Sequence, residues 1–450
     1  MNIILLSGGS GKRLWPLSND IRSKQFIKLF KDHEGNHESM VQRVYRQVAT
    51  VDTDAKITIA TSKTQVSAIK NQLSSNVSVC VEPCRRDTFP AIALAASYLH
   101  DEKHISDDEV IVVCPVDPYV EDTYYECVKS LEDVVKNGES NIVLMGIQPT
   151  YPSEKYGYII PTGRDQISMV SEFKEKPDTE TAKKYLAKNA LWNAGVFAFK
   201  LGYMIDKVHE LIDYTDYRDM FEKYSSLTKI SFDYAVVEKE PKIQVVRYSG
   251  NWKDVGTWNM MTEVMSEVTN GNALLDDTCD NTHVINELDI PILGMGLKDI
   301  VIAASTDGIL VSDKERSGYM KPYVEELTCN SAARFAEKSW GTYTVIDAQP
   351  NSLTVKIDMK KGSHMTYQMH ECHDEVWTIV NGTGRTVVDG MEQYVKPGDV
   401  VSIAAGCKHT VIADTDLNII ETQIGEEISK KDKYVYDMPI ELGADDSHEV

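Results

Sequence analysis

The feature that most constrains this chain is a change of hydrophobic period partway along it. Up to about residue 265, short apolar runs alternate with amphipathic stretches; from Trp340 onward nearly everything reads as strand and turn. Apolar runs at 2–7, 56–61, 77–81, 109–114, 141–147 and 242–247 predict strands, with helices predicted between them at 38–49, 64–73 and 90–100. Such alternation calls for an α/β domain with a mixed, mostly parallel sheet covered by helices. Residues 282–285, 300–304 and 308–311 add short β-like segments with little helix, and 314–327 returns to a mixed pattern. Beyond Trp340 the predicted strands fall at 343–347, 353–359, 376–380, 385–388, 399–403 and 418–422. Asn381-Gly382, Asp389-Gly390 and Pro397-Gly398 punctuate them at intervals that suit a small barrel or jelly roll. A chain of 450 residues exceeds what one core ordinarily organises, so three regions are expected: 1–265, a β-rich connection over 266–335, and a barrel over 336–450.

Open sheets of this kind bind ligands beyond the carboxyl ends of their strands. The first strand runs into such a place, Leu6-Ser7-Gly8-Gly9-Ser10-Gly11, followed by Arg13 and then Lys24. Glycines let backbone N–H groups approach a phosphate, and the two cations add fixed positive charge nearby. The run is not a P-loop, because the G-x-x-x-x-G-K-[ST] spacing is absent. Nor is it a dinucleotide fingerprint, since Leu14 stands where the third glycine would fall. On the glycines alone, a tight strand-to-helix turn explains the loop as well as a nucleotide does.

Charge narrows the partners. The 47 Lys and Arg against 69 Asp and Glu leave a net charge of −22, which argues against nucleic acid or an anionic membrane. It does not argue against a nucleotide carried with Mg²⁺, because a bound cation reverses the local field. No apolar run approaches the ~20 residues that span a bilayer. The apolar start is short and lacks a basic leader, so no secretory signal is expected. Eight scattered cysteines without a metal-like doublet point to reduced thiols and a cytoplasmic location.

The wording around the glycines goes further. Gly-x-Gly-x-Arg-Leu-x-Pro, with Lys24 eight residues after Pro16, resembles the signature of sugar-phosphate nucleotidylyltransferases, whose core is Rossmann-like. Leu-Ser-Gly-Gly-Ser-Gly and Leu-Trp-Pro-Leu-Ser are closest to the mannose-1-phosphate guanylyltransferases, although Ser23 stands where that family usually has proline. Later segments follow in the family's order. Glu82-Pro-Cys-Arg-Arg86-Asp87-Thr88-Phe-Pro-Ala-Ile resembles the segment that helps form the guanine and ribose site, with Asp87 in place of asparagine. Cys114-Pro-Val-Asp117 resembles the segment whose aspartate binds Mg²⁺, with Pro118 where histidine is common. Tyr156-Gly157, Phe173-Lys-Glu175-Lys176-Pro177, Trp192-Asn193-Ala-Gly195 and Phe232-Asp-Tyr-Ala235 resemble segments that shape the sugar-phosphate side. Trp252-Lys-Asp254 resembles the source of the second metal carboxylate, and Leu297-Lys-Asp-Ile-Val-Ile a connecting segment.

Each segment alone reads more readily as a turn or a packing contact than as a site; their order over some 250 residues carries the resemblance. It implies that Leu6, Gly8, Gly9, Ser10, Gly11, Glu82, Arg86, Asp87 and Thr88 bind the nucleotide. Gly157, Glu175, Lys176, Asn193 and Gly195 would bind the sugar phosphate, Arg13, Lys24 and Lys176 would be catalytic, and Asp117 and Asp254 would hold Mg²⁺.

In the last region, Gly362, Gln368, His370, Glu375 and Gly382 resemble the first cupin motif, with Gln368 in place of its usual first histidine. Pro397-Gly398 and Ala405-Gly406-Cys-Lys-His409 resemble the second. Alternate residues of a strand face one way, so Gln368 and His370 would point together into a barrel, joined by Glu375 and His409. That donor set suits Zn²⁺ or another divalent transition metal, against the plain reading of two ordinary barrel histidines. Gln-x-His with Trp377 and Asn381-Gly-Thr also resembles the mannose-6-phosphate isomerase domain often fused to these guanylyltransferases. That family carries a basic run where this chain has Glu371, Cys372, His373 and Asp374, and arginines where it has Lys430-Lys-Asp-Lys-Tyr. Three readings stay open for the barrel: an active isomerase, a cupin without activity, and a cupin acting on another sugar.

The expectation for the whole is a cytoplasmic homodimer that makes GDP-mannose from GTP and mannose 1-phosphate, with mannose 6-phosphate as a further substrate if the barrel is active. The alternatives are transfer of another nucleotide or to another sugar, and a sugar isomerase whose first domain binds nucleotide as a regulator.

Overall fold

The computed structural model describes residues 1–9, 12–19, 21–74, 76–328, 333–429 and 431–438. Two compact units emerge. Met1–Gly9, Gln25–Val66 and Asn76–Ser266 form one, and Ser10–Lys24, Ser67–Ser75 and Glu267–Val450 form the other.

The first unit is built on a nine-stranded sheet. Ser78–Glu82, Lys56–Ser62, Asn2–Leu6 and Val110–Pro115 run parallel, in that order across the sheet. Leu191–Lys200 follows and is antiparallel to both Val110–Pro115 and Ile142–Ile147. Ile243–Tyr248 then pairs in parallel with Ile142–Ile147, and the hairpin of Tyr158–Pro161 and Ile167–Lys174 closes the far edge. The central strands are apolar without alternation because helices cover both faces. Val110–Cys114 and Ile142–Leu144, for instance, are buried throughout. Helix Thr88–Ser97 is buried on every side from Phe89 to Ser97, as its nearly continuous apolar sequence requires. Helix Met40–Val51 starts at a capping box, Ser39 Oγ accepting from Gln42 N–H while the Gln42 amide oxygen accepts from Ser39 N–H.

All the strands expected in the first region are present to within a residue. The sheet is mixed because Leu191–Lys200 is threaded antiparallel between its two parallel groups. Asn193 and Gly195 break that strand's apolar run, so its β character is hidden from a period count.

In the second unit, Thr269–Asn270, His283–Asn286 and Ile300–Ser305 pair in parallel, and Gly308–Asp313 turns back as a hairpin. The run Lys12–Asn19 packs within this unit. Leu14 and Leu17 are fully buried, and Pro16 C=O accepts from Ser305 Oγ at 2.8 Å. Gly308 leaves room for the Trp15 ring, since a Cβ there would lie 2.5 Å from it. Arg22 donates both guanidinium nitrogens to the Glu287 carboxylate at 2.7 and 2.9 Å.

The barrel that follows has a six-stranded sheet facing a five-stranded one. Along His373–Asn381 the inward residues are His373, Glu375, Trp377 and Ile379. The strand begins three residues before the predicted 376, and that extension brings His373 onto the inner face. Among the described residues no cysteine forms a disulfide, and no helix is long and apolar enough to cross a membrane.

Candidate functional site

In the first unit the chemistry gathers at the carboxyl ends of the parallel strands. Leu6 pairs with Ala60 on one side and Pro115 on the other, so the chain leaves the sheet at Ser7 between two neighbouring strand ends. Gln25 Nε2 donates to Ser7 C=O at 2.9 Å, and Gln65 Nε2 donates to Gly9 C=O at 3.3 Å, which shapes the start of the loop. A Cβ on Gly8 would lie 3.2 Å from Glu82 Oε1. Glu82 Oε2 accepts from the Tyr224 hydroxyl at 2.7 Å, and burial raises the Glu82 pKa despite that bond. Arg86 donates to Ser225 C=O, so Glu82 and Arg86 both tie down the turn at Tyr224–Ser226. Asp87 has φ of 73°, unusual for a residue with a side chain, and caps helix Thr88–Ser97 by accepting from Thr88 N–H at 2.8 Å. Thr88 Oγ1 accepts from Phe232 N–H at 2.8 Å, so its hydroxyl already serves the fold.

Two carboxylates meet through strand register. Asp117 follows the strand end at Pro115, and the short strand Pro118–Val120 pairs antiparallel with Trp252–Asp254, setting Pro118 opposite Asp254. Residues far apart in the chain are thereby placed side by side, and Asp117 and Asp254 line one cavity of about 220 Å³. Glu175, Asn193, Gly195 and Asp233 line the same cavity.

That cavity's other wall is a junction of three strands. Tyr158 pairs with both Lys174 and Trp192, so Gly157, Glu175 and Asn193 come together just beyond it. Gly157 C=O accepts from Asn193 N–H at 2.8 Å; a Cβ on Gly157 would stand 2.4 Å from Glu175 Oε2 and 3.3 Å from Asn193 Cβ. A β-bulge lies between Asn193 and Phe197, with Gly195 at φ of 70°. Asn193 Oδ1 accepts from Gly195 N–H at 3.1 Å, and Asn193 Nδ2 donates to Asp233 Oδ1 at 2.7 Å. Lys176 Nζ lies 2.7 Å from Glu175 Oε1. Burial opposes the Lys176 ammonium, but the Glu175 carboxylate outweighs it and holds the pKa above the usual lysine value. Asp233 is pushed up to about 7, first by burial and then by the nearby Glu175 charge. The sequence places Asp233 within a motif but gives it no role. Its signal is physical rather than sequential: a carboxyl buried beside another carboxyl.

Arg13 and Lys24 belong to the second unit, Arg13 being exposed and Lys24 partly so. Ser10 and Gly11 lie outside the described residues.

Within the barrel, Gln368, His370, Glu375 and His409 come together. Gln368 pairs with His409 across adjacent strands, and Glu375 lies on the inner face of His373–Asn381. His370 Nε2 is 3.3 Å from Glu375 Oε1 and His409 Nε2 is 3.3 Å from Glu375 Oε2. Trp377 Nε1 donates to Glu375 Oε2 at 3.0 Å. Burial alone would raise the Glu375 pKa, yet the surrounding imidazoles hold it below the usual carboxylate range. Glu421, fully buried near Glu375, is raised well above that range. Missing from the sequence-based set is His373, 3% exposed, whose Nε2 lies 3.6 Å from Glu375 Oε1. Both ring nitrogens of His373, Glu375 Oε1 and His409 Nε2 are buried without a hydrogen-bond partner. Each such atom costs about 1–3 kcal/mol unless something binds it. Inward-facing nitrogens and a carboxylate oxygen left in this state are the donor set a divalent transition metal takes.

Comparison with known proteins agrees with both halves. The nucleotidyl transferase family profile matches residues 2–271, and the mannose-6-phosphate isomerase C-terminal profile matches residues 328–437. The mannose-1-phosphate guanylyltransferase RfbM of Salmonella typhimurium is 29% identical over 467 residues, covering 95% of each chain. The xanthan biosynthesis protein XanB of Xanthomonas campestris is 29% identical over 464 residues, covering 95% of this chain and 96% of its own. Among solved structures, a mannose-1-phosphate geranyltransferase from Thermus thermophilus superposes with a TM-score of 0.61 at 26% identity. That match covers 72% of this chain and 98% of the other.

Proposed function

The chain belongs to the nucleotidyl transferase family, and on that premise we propose that it makes GDP-mannose from GTP and α-D-mannose 1-phosphate. A phosphate oxygen of the sugar, already ionised at neutral pH, attacks the α-phosphorus of GTP. The bond from that phosphorus to the β-phosphate bridging oxygen breaks, and pyrophosphate leaves. No general base is needed, so catalysis reduces to positioning and charge neutralisation. The observation that supports this most is the register of Pro118–Val120 against Trp252–Asp254. It sets Asp117 and Asp254 together on the cavity that Glu175, Asn193 and Asp233 also line.

Two carboxylates offer the hard oxygen donors that Mg²⁺ takes, and the ion held there would neutralise phosphate charge. Glu82, Arg86, Asp87 and Thr88, with Leu6, Gly8 and Gly9, receive the nucleotide. Glu175 and Asn193 hold sugar hydroxyls, Gly157 and Gly195 let the sugar approach, and Lys176 faces the sugar phosphate. Pyrophosphate release measured across the four NTPs and several sugar 1-phosphates tests this reading. GTP with mannose 1-phosphate should give the highest kcat/KM, and a clear preference for another pair would overturn it.

For the barrel, the buried inward atoms of His409 and Glu375 that lack a hydrogen-bond partner favour a metal-dependent isomerase acting on mannose 6-phosphate. His370, Glu375 and His409, with Gln368 beside them, would hold Zn²⁺ or a similar ion, which when bound would polarise the sugar carbonyl. Fructose 6-phosphate should form from mannose 6-phosphate with added Zn²⁺ or Co²⁺ and not with His409→Ala; its absence in the metal-loaded wild type would remove this second activity. The same reading makes the enzyme cytoplasmic and homodimeric, which fractionation and light scattering check.

A further inference from the structure

His373 has a carboxylate near each of its ring nitrogens. Its Nδ1 lies 3.2 Å from Asp432 Oδ2 and its Nε2 lies 3.6 Å from Glu375 Oε1. The two other histidines are held in the same sense. His370 Nδ1 meets Asp432 C=O and His409 Nδ1 meets Cys407 C=O at 3.0 Å, while both Nε2 atoms face Glu375 at 3.3 Å. All three imidazoles therefore turn Nε2 towards one carboxylate and Nδ1 towards an oxygen on the other side. In His370 and His409 a hydrogen bond at Nδ1 fixes the tautomer, as it does in metal-ligating histidines, while His373 Nδ1 lies near the Asp432 carboxylate without a formed hydrogen bond.

Gln368 is placed differently. Its Oε1 accepts from Thr366 Oγ1 at 3.0 Å, and its Nε2 sits 3.3 Å from His370 Nε2, so it turns an amide nitrogen rather than its oxygen inward. Asp432 completes the arrangement from far along the chain: its carboxylate also accepts Glu371 N–H and Cys372 N–H, each at 2.9 Å, and so clamps the turn leading into His373.

We propose that His373 is a direct metal ligand in this barrel, joining His370, Glu375 and His409, with Asp432 as the residue that orients both His370 and His373. His370, Glu375 and His409 form one group of converging donor atoms, and His370, His373 and Asp432 form a second one sharing His370. The inference rests on the barrel's being a metal site, and its test separates the two.

The full-length chain is stripped with a chelator and titrated with Co²⁺, and its visible absorption is recorded. His373→Cys should add a thiolate-to-cobalt charge-transfer band that the wild type lacks, because only a side chain bonded to the ion produces one. His373→Ala should weaken Co²⁺ binding at least about tenfold, and Asp432→Asn by a comparable factor, the range seen when ligand-orienting partners are lost. Saturation of His373→Cys by Co²⁺ without a new band would overturn the proposal. X-ray absorption on the wild-type cobalt form decides the matter even if the variant fails to fold. Three imidazoles in the coordination shell support the assignment, and two contradict it. A wild type that binds no Co²⁺ removes the metal reading and this inference with it; a wild type that binds normally with two imidazoles removes only this one.

Discussion

The two candidate sites of this molecule are built in opposite ways. The cavity of the first unit is assembled from strand ends and loops, with Asp117, Glu175, Asn193, Asp233 and Asp254 drawn from distant parts of the chain. Its polar groups are already engaged with one another, as Lys176 with Glu175 and Asn193 with Asp233. The barrel cluster instead sits on the inner faces of strands, buried, with several polar atoms lacking a hydrogen-bond partner. The first arrangement suits mobile, highly charged substrates that enter and leave with their own water and counter-ions. The second suits a resident ion, because its unpartnered atoms are costly until one binds.

The contrast is sharp enough to break. Asp117→Ala or Asp254→Ala should cut kcat for pyrophosphate release by about 10²-fold to 10³-fold or more, as loss of a preorganised charge-stabilising group does. Either variant should leave Co²⁺ binding by the barrel unchanged; a joint loss would mean that the two sites are not independent. His409→Ala should do the reverse, weakening Co²⁺ binding about 10-fold to 100-fold while guanylyl transfer stays at the wild-type rate.

Gly157→Ala sharpens the picture of the first site. Its Cβ would enter the space of Glu175 Oε2, so KM for mannose 1-phosphate should rise about tenfold, roughly 1.4 kcal/mol of binding, with KM for GTP little changed. Equal rises for both substrates would show that Gly157 supports the whole cavity rather than its sugar side.

The smallest expected effect concerns pH. Asp233 ionises near pH 7 because burial and Glu175 disfavour its charge, so above that pH it adds a negative charge to a site receiving an anion. KM for mannose 1-phosphate should therefore rise between pH 6 and 8, and Asp233→Asn should flatten the rise. The ionisation of the sugar phosphate is common to both enzymes and cancels in the comparison. For stability the sign is also definite. A carboxyl whose folded pKa is raised costs stability progressively as pH climbs from its ordinary value of 3.8 towards 7, and the full penalty remains above that. Denaturant unfolding of Asp233→Asn should show a shallower decline over that window.

Much of this architecture is legible in the residues, and the reasons differ by element. Asn2–Leu6, Val110–Pro115 and Ile142–Ile147 announce themselves because strands covered on both faces are continuously apolar. Leu191–Lys200 does not, because Asn193 and Gly195 interrupt it at the bulge that serves the cavity. The Leu-Trp-Pro-Leu-Ser wording reads as a clue to the base and the sugar. In the structure Leu14 and Leu17 are buried and Trp15 packs over Gly308, all inside the second unit. Nothing in a sequence separates a tryptophan that docks a loop from one that meets a ligand. His373 escapes a sequence reading that starts its strand at Val376; three residues more of strand turn a surface histidine into an inward one. The elevated pKa of Asp233 comes first from burial and then from Glu175, far off in the chain, and both arise only in the folded arrangement.

The central claim is that the first unit joins GTP to mannose 1-phosphate through the α-phosphorus. Phosphorus NMR of the full-length protein with Mg²⁺, GTP and mannose 1-phosphate tests it most directly. The account expects GDP-mannose and pyrophosphate to appear in equal amounts, at a rate that Asp117→Ala all but abolishes. Release of GDP with inorganic phosphate, or formation of GDP-mannose at an undiminished rate by Asp117→Ala, would contradict it.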